Sequence, residues 1–194
     1  FAAGLDNFLI GQKTGIDYPG EVGGLVKKRV EYDGASLGTM AFGQALAFPQ
    51  VQMAQAVGSV ANGGTLYTPH FLMSTAGEEA NWPAKGTSIK KETSDLMIDY
   101  LQTVVSDGTA KKAQVPGYSV AGKTGTGEQA SPTGGYIRGS YTSSLIGFAP
   151  AKSAKILLYV GLDGTPHLAA TSSAYLFSEI MREALTDLNI SEQK

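Results

Sequence analysis

The sequence contains no cysteine. Disulfide frameworks and thiol chemistry are therefore excluded from these residues. The absence fits an oxidising compartment, although many cytosolic chains also lack cysteine. Histidine is nearly as scarce. His70 and His167 are the only imidazoles, they lie far apart, and no HxH or HExxH spacing occurs. No histidine-based metal site is expected, and no organic cofactor. No run approaches the ~20 apolar residues of a bilayer span. No charged-then-apolar leader opens the sequence. Charge of one sign is also missing: 15 Lys and Arg face 17 Asp and Glu, for a net charge of −2. That balance lacks the basic footprint of a nucleic-acid or anionic-lipid partner. There is no internal repeat and no low-complexity tract.

What is present is an ordinary hydrophobic content, 42% of 194 residues. That length suits one domain or part of a larger one, and buries roughly 70% of its unfolded surface. The first residues are Phe1, Ala2, Ala3 and Gly4. Natural boundaries usually sit in polar linkers, so an internal start is expected.

Residues 11–39 are rich in glycine and charge and read as loop. Asp17 to Gly20 gives a turn, since proline sets φ and glycine accepts positive φ. A helix is expected after Pro49, with Val51, Ala54, Val57 and Ala61 on one face, ended by Asn62, Gly63 and Gly64. Residues 65–74 look extended and 75–91 connecting. A second helix is expected from about Glu92 to Ser106, with Met97, Leu101, Val104 and Val105 as its stripe. Residues 118–126 have a strand rhythm, and 127–139 read as a Gly- and Pro-containing loop. Strands are expected at 141–149 and 155–162, joined as a hairpin. A last helix runs from about Ser173 to Leu188, burying Phe177, Ile180, Met181, Ala184, Leu185 and Leu188. This order favours an α+β fold, an antiparallel sheet flanked by helices.

The densest cluster of small and hydroxyl residues is VAGKTGTG, residues 120–127. Residues 117–124 match GxxxxGK[ST], the phosphate-binding loop. That loop needs a buried strand before it and a helix after it, and neither flank reads so here. Nucleotide binding is a remote alternative. Lys123, Thr124 and Gly125 also form the Lys-Thr-Gly triplet of serine acyl-transfer enzymes. A lysine followed by a threonine offers a cation and a hydroxyl donor to a substrate carboxylate. Glycines bare the strand to close approach. The same triplet occurs at Lys13 to Gly15, in a turn-rich stretch where it reads as structural. Two Ser-x-x-Lys matches, Ser88 to Lys91 and Ser191 to Lys194, carry little information.

Other stretches join the KTGT segment: GQKTGIDYPGE at 11–21, FGQ at 42–44 with QMA at 52–54, ANGGTLYTPH at 61–70, VVSDGTA at 104–110 and SLIGFAP at 144–150. In this order they resemble the C-terminal half of the transpeptidase domain of class B penicillin-binding proteins, over residues 4 to about 185. A departure is Phe48, where the family usually places a Ser or Thr cap. The family's Ser-x-x-Lys nucleophile and Ser-x-Asn element belong upstream, so this sequence is expected to lack them and to be inactive alone. The resemblance implies a peptidoglycan D,D-transpeptidase that forms a serine acyl-enzyme and is acylated by β-lactams. It implies that Lys123 supplies positive charge and contacts the Ser-x-Asn network. Thr124 and Thr126 would hold the carboxylate of a D-Ala-D-Ala stem peptide or a β-lactam. The Thr126 N–H would form half an oxyanion hole, and Gly125 and Gly127 would keep the strand accessible. Arg138 and Tyr141 are further candidates at the cleft border. Implied partners are the stem peptide, β-lactams, the upstream half of the same protein and cell-wall synthesis proteins. The implied location is the extracytoplasmic face of the bacterial cytoplasmic membrane, with the anchor upstream. Alternatives are a non-enzymatic scaffold or sensor homologue and a class A β-lactamase fragment, the latter disfavoured by the PGE and ANGG stretches.

Overall fold

The computed structural model describes residues 1–193, which divide into two compact units, Phe1–Ser94 and the residues from Asp95 onward. The first unit contains α1 (Ala2–Asn7), α2 (Ser36–Ala41), α3 (Gln50–Ala61), β1 (Thr65–Tyr67), β2 (Ser74–Thr75), β3 (Glu78–Glu79) and β4 (Ala84–Thr87). Helix α4 (Lys91–Ser106) carries the division. The second unit continues with β5 (Ala121–Ala130), β6 (Tyr136–Ala149), β7 (Ile156–Thr165) and α5 (Ser173–Asp187). All strand pairs are antiparallel: β1 with β4, β2 with β3, and a three-stranded sheet in the order β5-β6-β7. No helix among the described residues is long and apolar enough to cross a membrane.

Helix α3 buries a different face from the one its apolar residues predict. Gln52, Gln55, Ala56, Ser59 and Val60 are buried, while Val51, Ala54, Val57 and Ala61 are only half-buried. The polar side chains are buried because they satisfy loop backbone groups that would otherwise be costly. The Gln52 amide accepts from the Gly11 N–H at 3.0 Å and donates to the carbonyls of Val22 and Gly23. Gln55 donates to the Tyr67 carbonyl at 2.8 Å.

The ANGG stretch ends α3 for a steric reason. Gly64 has φ +104°, and a Cβ there would collide with the Ile89 carbonyl. The Asn62 side chain bridges both backbone groups of Thr65 at 2.9 Å, setting the entry to β1. Residues 75–91, expected as connection, contain β3 and β4. Strand β4 is exposed throughout, so no alternation announces it.

In the second unit, α5 covers the three-stranded sheet. Leu145 of β6 and Phe177, Met181 and Leu185 of α5 are fully buried in one cluster with Val105, Val115 and Val120. The i, i+4, i+8 spacing of 177, 181 and 185 makes one helical stripe. Ile180 and Leu188, expected inward, are 45% and 63% exposed because they fall beside that stripe. Helix α4 buries Ser94, Ile98 and Val105, whereas Met97 is exposed.

The SLIGFAP stretch is the close-contact line of the sheet. A Cβ on Gly147 would lie 2.7 Å from the Ala121 carbonyl and 2.9 Å from the Phe177 ring. Glycine there lets β5, β6 and α5 meet. Residues 127–139, expected as loop, are largely the tip of the β5–β6 hairpin. Only residues 131–135 turn, with Ser131 N–H bonded to the Gly135 carbonyl at 2.9 Å. Cross-strand side chains hold the tip despite its glycines. Ser140 donates to Gln129 at 2.7 Å, and Gln129 and Thr142 both donate to Asp163 of β7, at 2.7 and 2.8 Å. Those two donors hold the Asp163 carboxyl below its ordinary pKa.

Candidate active-site strand

Lys123, Thr124, Gly125, Thr126 and Gly127 lie together on β5, an edge strand of its sheet. Successive side chains alternate between faces, so Thr124 and Thr126 share one face and Lys123 the other. Thr124 and Thr126 pair with Leu145 and Ser143 of β6. Both partners are buried, and Leu145 belongs to the cluster under α5. The threonines therefore point to the helix-covered side of the sheet, at its edge.

Each threonine hydroxyl has a partner behind it. The Thr126 hydroxyl accepts a hydrogen bond from the Ala169 N–H at 3.3 Å, in the 3-10 turn before α5. An N–H can only donate, so the Thr126 proton is left for another acceptor. The Thr124 and Thr109 hydroxyls lie 2.8 Å apart. Three serines brace the region. Ser143 of β6 meets the hydroxyls of Ser172 and Ser173 at 2.8 and 3.3 Å, and Ser172 donates to the Leu168 carbonyl.

The backbone of β5 alternates in the same way. The Ser144 hydroxyl of β6 reaches the Gly125 carbonyl at 3.4 Å, so Gly125 faces its neighbour strand. The Thr124 carbonyl accepts from the Lys123 ammonium at 2.9 Å instead. An antiparallel strand turns both backbone groups of alternate residues the same way. Thr124 and Thr126 accordingly direct theirs toward the open edge. A Cβ on Gly125 would sit 2.7 Å from the Ser144 hydroxyl, which would have to turn away to admit it. Lys123 is exposed and has no carboxylate partner among the described residues.

The decoys separate cleanly. Thr14 of the other Lys-Thr-Gly copy is buried and held by Glu21 through its hydroxyl and N–H. Ser88 is buried and bonded to the Ser59 hydroxyl at 2.8 Å and the Gly64 carbonyl at 3.1 Å, a structural role. Ser191 is exposed in the tail, and its Lys194 lies outside the described residues. In the phosphate-loop match, Lys123 and Thr124 lie within a strand that continues to Ala130, where a helix N-terminus is required. Arg138 is exposed on β6, and Tyr141 pairs with Glu128 and Thr165, one pair beyond Thr126 and Ser143 on the same face. His70 stacks on Trp82 at 4.7 Å and meets the Thr68 carbonyl, a packing role. No cluster suited to a metal ion occurs among the described residues.

Thr109 and Ala169 were not singled out from sequence. Thr109 lies in VVSDGTA, a stretch noticed only as a resemblance. Ala169 contributes a backbone group, which no side-chain pattern reveals.

Residues 1–182 match the penicillin binding protein transpeptidase domain, and the chain belongs to that family. It is 35% identical over 98% of its length to the stage V sporulation protein D of Bacillus subtilis, spanning 31% of that protein. It superposes on penicillin-binding protein 3 of Mycobacterium tuberculosis complexed with ampicillin, with TM-score 0.85, 28% identity, and coverage of 98% and 46% of the two chains. The apo transpeptidase domain of Burkholderia pseudomallei penicillin-binding protein 3 gives TM-score 0.86 at 26% identity, covering 99% and 58%. The chain thus spans about a third of the length of the curated relatives it matches.

Proposed function

We propose that this chain supplies the substrate-carboxylate and oxyanion strand of a serine D,D-transpeptidase that cross-links peptidoglycan and is acylated by β-lactams. The observation that carries the reading is the pair Thr124 and Thr126 on one face of an edge strand, each hydroxyl already met from behind. Thr126, which accepts from an N–H, keeps its proton for an anion, and Thr124 does so when Thr109 donates to it. In this reading they hold the terminal carboxylate of a D-Ala-D-Ala stem peptide or of a β-lactam. Lys123 adds the positive charge. The Thr126 N–H, on the open edge, donates to the oxyanion that forms when the penultimate carbonyl is attacked. The peptide C–N bond then breaks, the terminal D-Ala leaves with the proton as an amine, and the acyl group stays on the serine.

The nucleophilic serine, its lysine and the Ser-x-Asn element belong to the part of the protein outside these residues. The ampicillin complex of the Mycobacterium tuberculosis relative supports the β-lactam side of the reading, and the peptidoglycan D,D-transpeptidase named in Pseudomonas aeruginosa, 33% identical, supports the substrate. In this reading the site works on the extracytoplasmic side, and a membrane anchor and contacts to cell-wall synthesis partners would belong to the rest of the protein.

Fluorescent-penicillin labelling of the full-length protein tests this. Hydrogen bonds to charged groups contribute about 1.5–3 kcal/mol. Thr126→Val is expected to slow acylation about tenfold and Lys123→Ala about a hundredfold. Wild-type labelling rates in both variants would refute the assignment.

A further inference from the structure

We infer that Thr109 is a positioning residue for the carboxylate subsite, orienting the Thr124 hydroxyl as a donor to the bound anion. This rests on the proposed role of β5. The geometry begins with the turn that ends α4. Gly108 N–H bonds to the Thr103 and Val104 carbonyls at 3.1 Å, and Ala110 N–H returns to the Val104 carbonyl at 3.1 Å. A Cβ on Gly108 would lie 2.8 Å from that same carbonyl, so the turn requires glycine. Ala110 is fully buried in the core under α5. Thr109 is fixed between these two anchors, and its exposed hydroxyl is set 2.8 Å from that of Thr124.

The two threonines of β5 are therefore backed differently. Thr126 is met by the Ala169 N–H, a fixed donor. Thr124 is met by a hydroxyl, which donates or accepts according to its surroundings. A carboxylate before Thr124 draws the Thr124 proton outward. The Thr124 oxygen then becomes the better acceptor, and Thr109 turns its own proton onto it. The two hydroxyls in series strengthen one another. Thr109 touches no substrate in this arrangement and acts only through Thr124.

The test uses the full-length protein with Thr109→Val, Thr109→Ser, Thr124→Val and the Thr109→Val/Thr124→Val double variant. Acylation by a penicillin is measured, together with turnover of a D-Ala-D-Ala peptide and of its C-terminal amide. Melting temperatures are read beside each rate, and Thr109→Ser keeps the hydroxyl if valine disturbs the turn. Thr109→Val is expected to lower penicillin acylation about tenfold. It should raise KM for the free-acid peptide with little change for the amide. Thr109→Ser should restore the rate, and the double variant should be no slower than Thr124→Val. A normal Thr109→Val rate, an equal loss on the amide, or multiplying losses in the double variant would overturn the inference while leaving the strand assignment standing. A normal Thr124→Val rate would overturn the carboxylate reading of β5 itself, and this inference with it.

Discussion

The Glu21 carboxylate accepts hydrogen bonds from both the hydroxyl and the backbone N–H of Thr14, each at 2.6 Å. Its other oxygen takes the Gly15 N–H at 3.0 Å. The first Lys-Thr-Gly copy is thereby used up within its own loop. In the second copy, on β5, the Thr124 hydroxyl meets only the Thr109 hydroxyl, at 2.8 Å, and no carboxylate among the described residues. The identical triplets differ in setting: the first meets a carboxylate of this chain, and the second meets none among the described residues.

Lys123→Ala and Lys13→Ala are accordingly expected to diverge. The first should slow β-lactam acylation of the full-length protein about a hundredfold, and the second should change it less than about twofold. Stopped-flow labelling of both variants makes the comparison. Equal effects would mean the wrong copy has been assigned.

Glu21 also sets a pH dependence. Burial pushes its pKa up, but the hydroxyl and N–H of Thr14 and the N–H of Gly15 outweigh it, and the carboxyl lies below its ordinary 4.5. A depressed folded pKa gives stability that is complete above the ordinary value and is lost as pH falls through the folded one. Glu21→Gln should therefore melt lower than wild type at pH 7. The gap should close as pH drops below about 4.5. Melting curves across pH 3–7 would show a constant gap if the carboxylate charge were irrelevant.

Gly147 and Phe177 form a second stringent pair, with only 2.9 Å between a Cβ at the glycine and the ring. Gly147→Ala should cost about 1–3 kcal/mol by overpacking. Adding Phe177→Leu should make the combined loss smaller than the sum, since the two residues touch. Gly38→Ala is the control. Gly38 lies in α2 with nothing within 4 Å of the added atom, so alanine should be neutral or stabilise by up to about 1 kcal/mol. Urea unfolding of the set gives these differences.

Much of the second unit was legible in sequence. The last two strands and their hairpin follow from apolar runs separated by a short turn, the C-terminal helix from its periodicity, and the first strand from a small-residue rhythm whose bounds fell short of Ala130. The hairpin tip was not, because its order comes from the Gln129, Ser140, Thr142 and Asp163 bonds, which link residues up to 34 apart. The buried face of α3 was misread for a related reason. Periodicity counts apolar residues, whereas Gln52 and Gln55 are buried to satisfy loop backbone groups. The KTGT strand was legible through its resemblance to a family. Its support was not, since Thr109 and the Ala169 N–H reach it only after folding.

The Asp163 network makes its own prediction. Asp163→Ala removes the common acceptor of Gln129 and Thr142. Amide hydrogen exchange across residues 127–141 should accelerate about tenfold, corresponding to about 1.4 kcal/mol of lost local stability. Exchange along α5 should not change. Unaltered exchange at the tip would show that the strand ladder alone orders it.

In the proposed function β5 serves a nucleophile located elsewhere in the same protein. Intact-mass analysis and peptide mapping of the full-length protein after penicillin treatment test it directly, with wild type and Lys123→Ala side by side. One penicilloyl adduct is expected, on a serine outside residues 1–194, formed rapidly in wild type and slowly in the variant. An adduct on Ser88 or any other residue of this chain would contradict it, as would an adduct formed equally fast without Lys123.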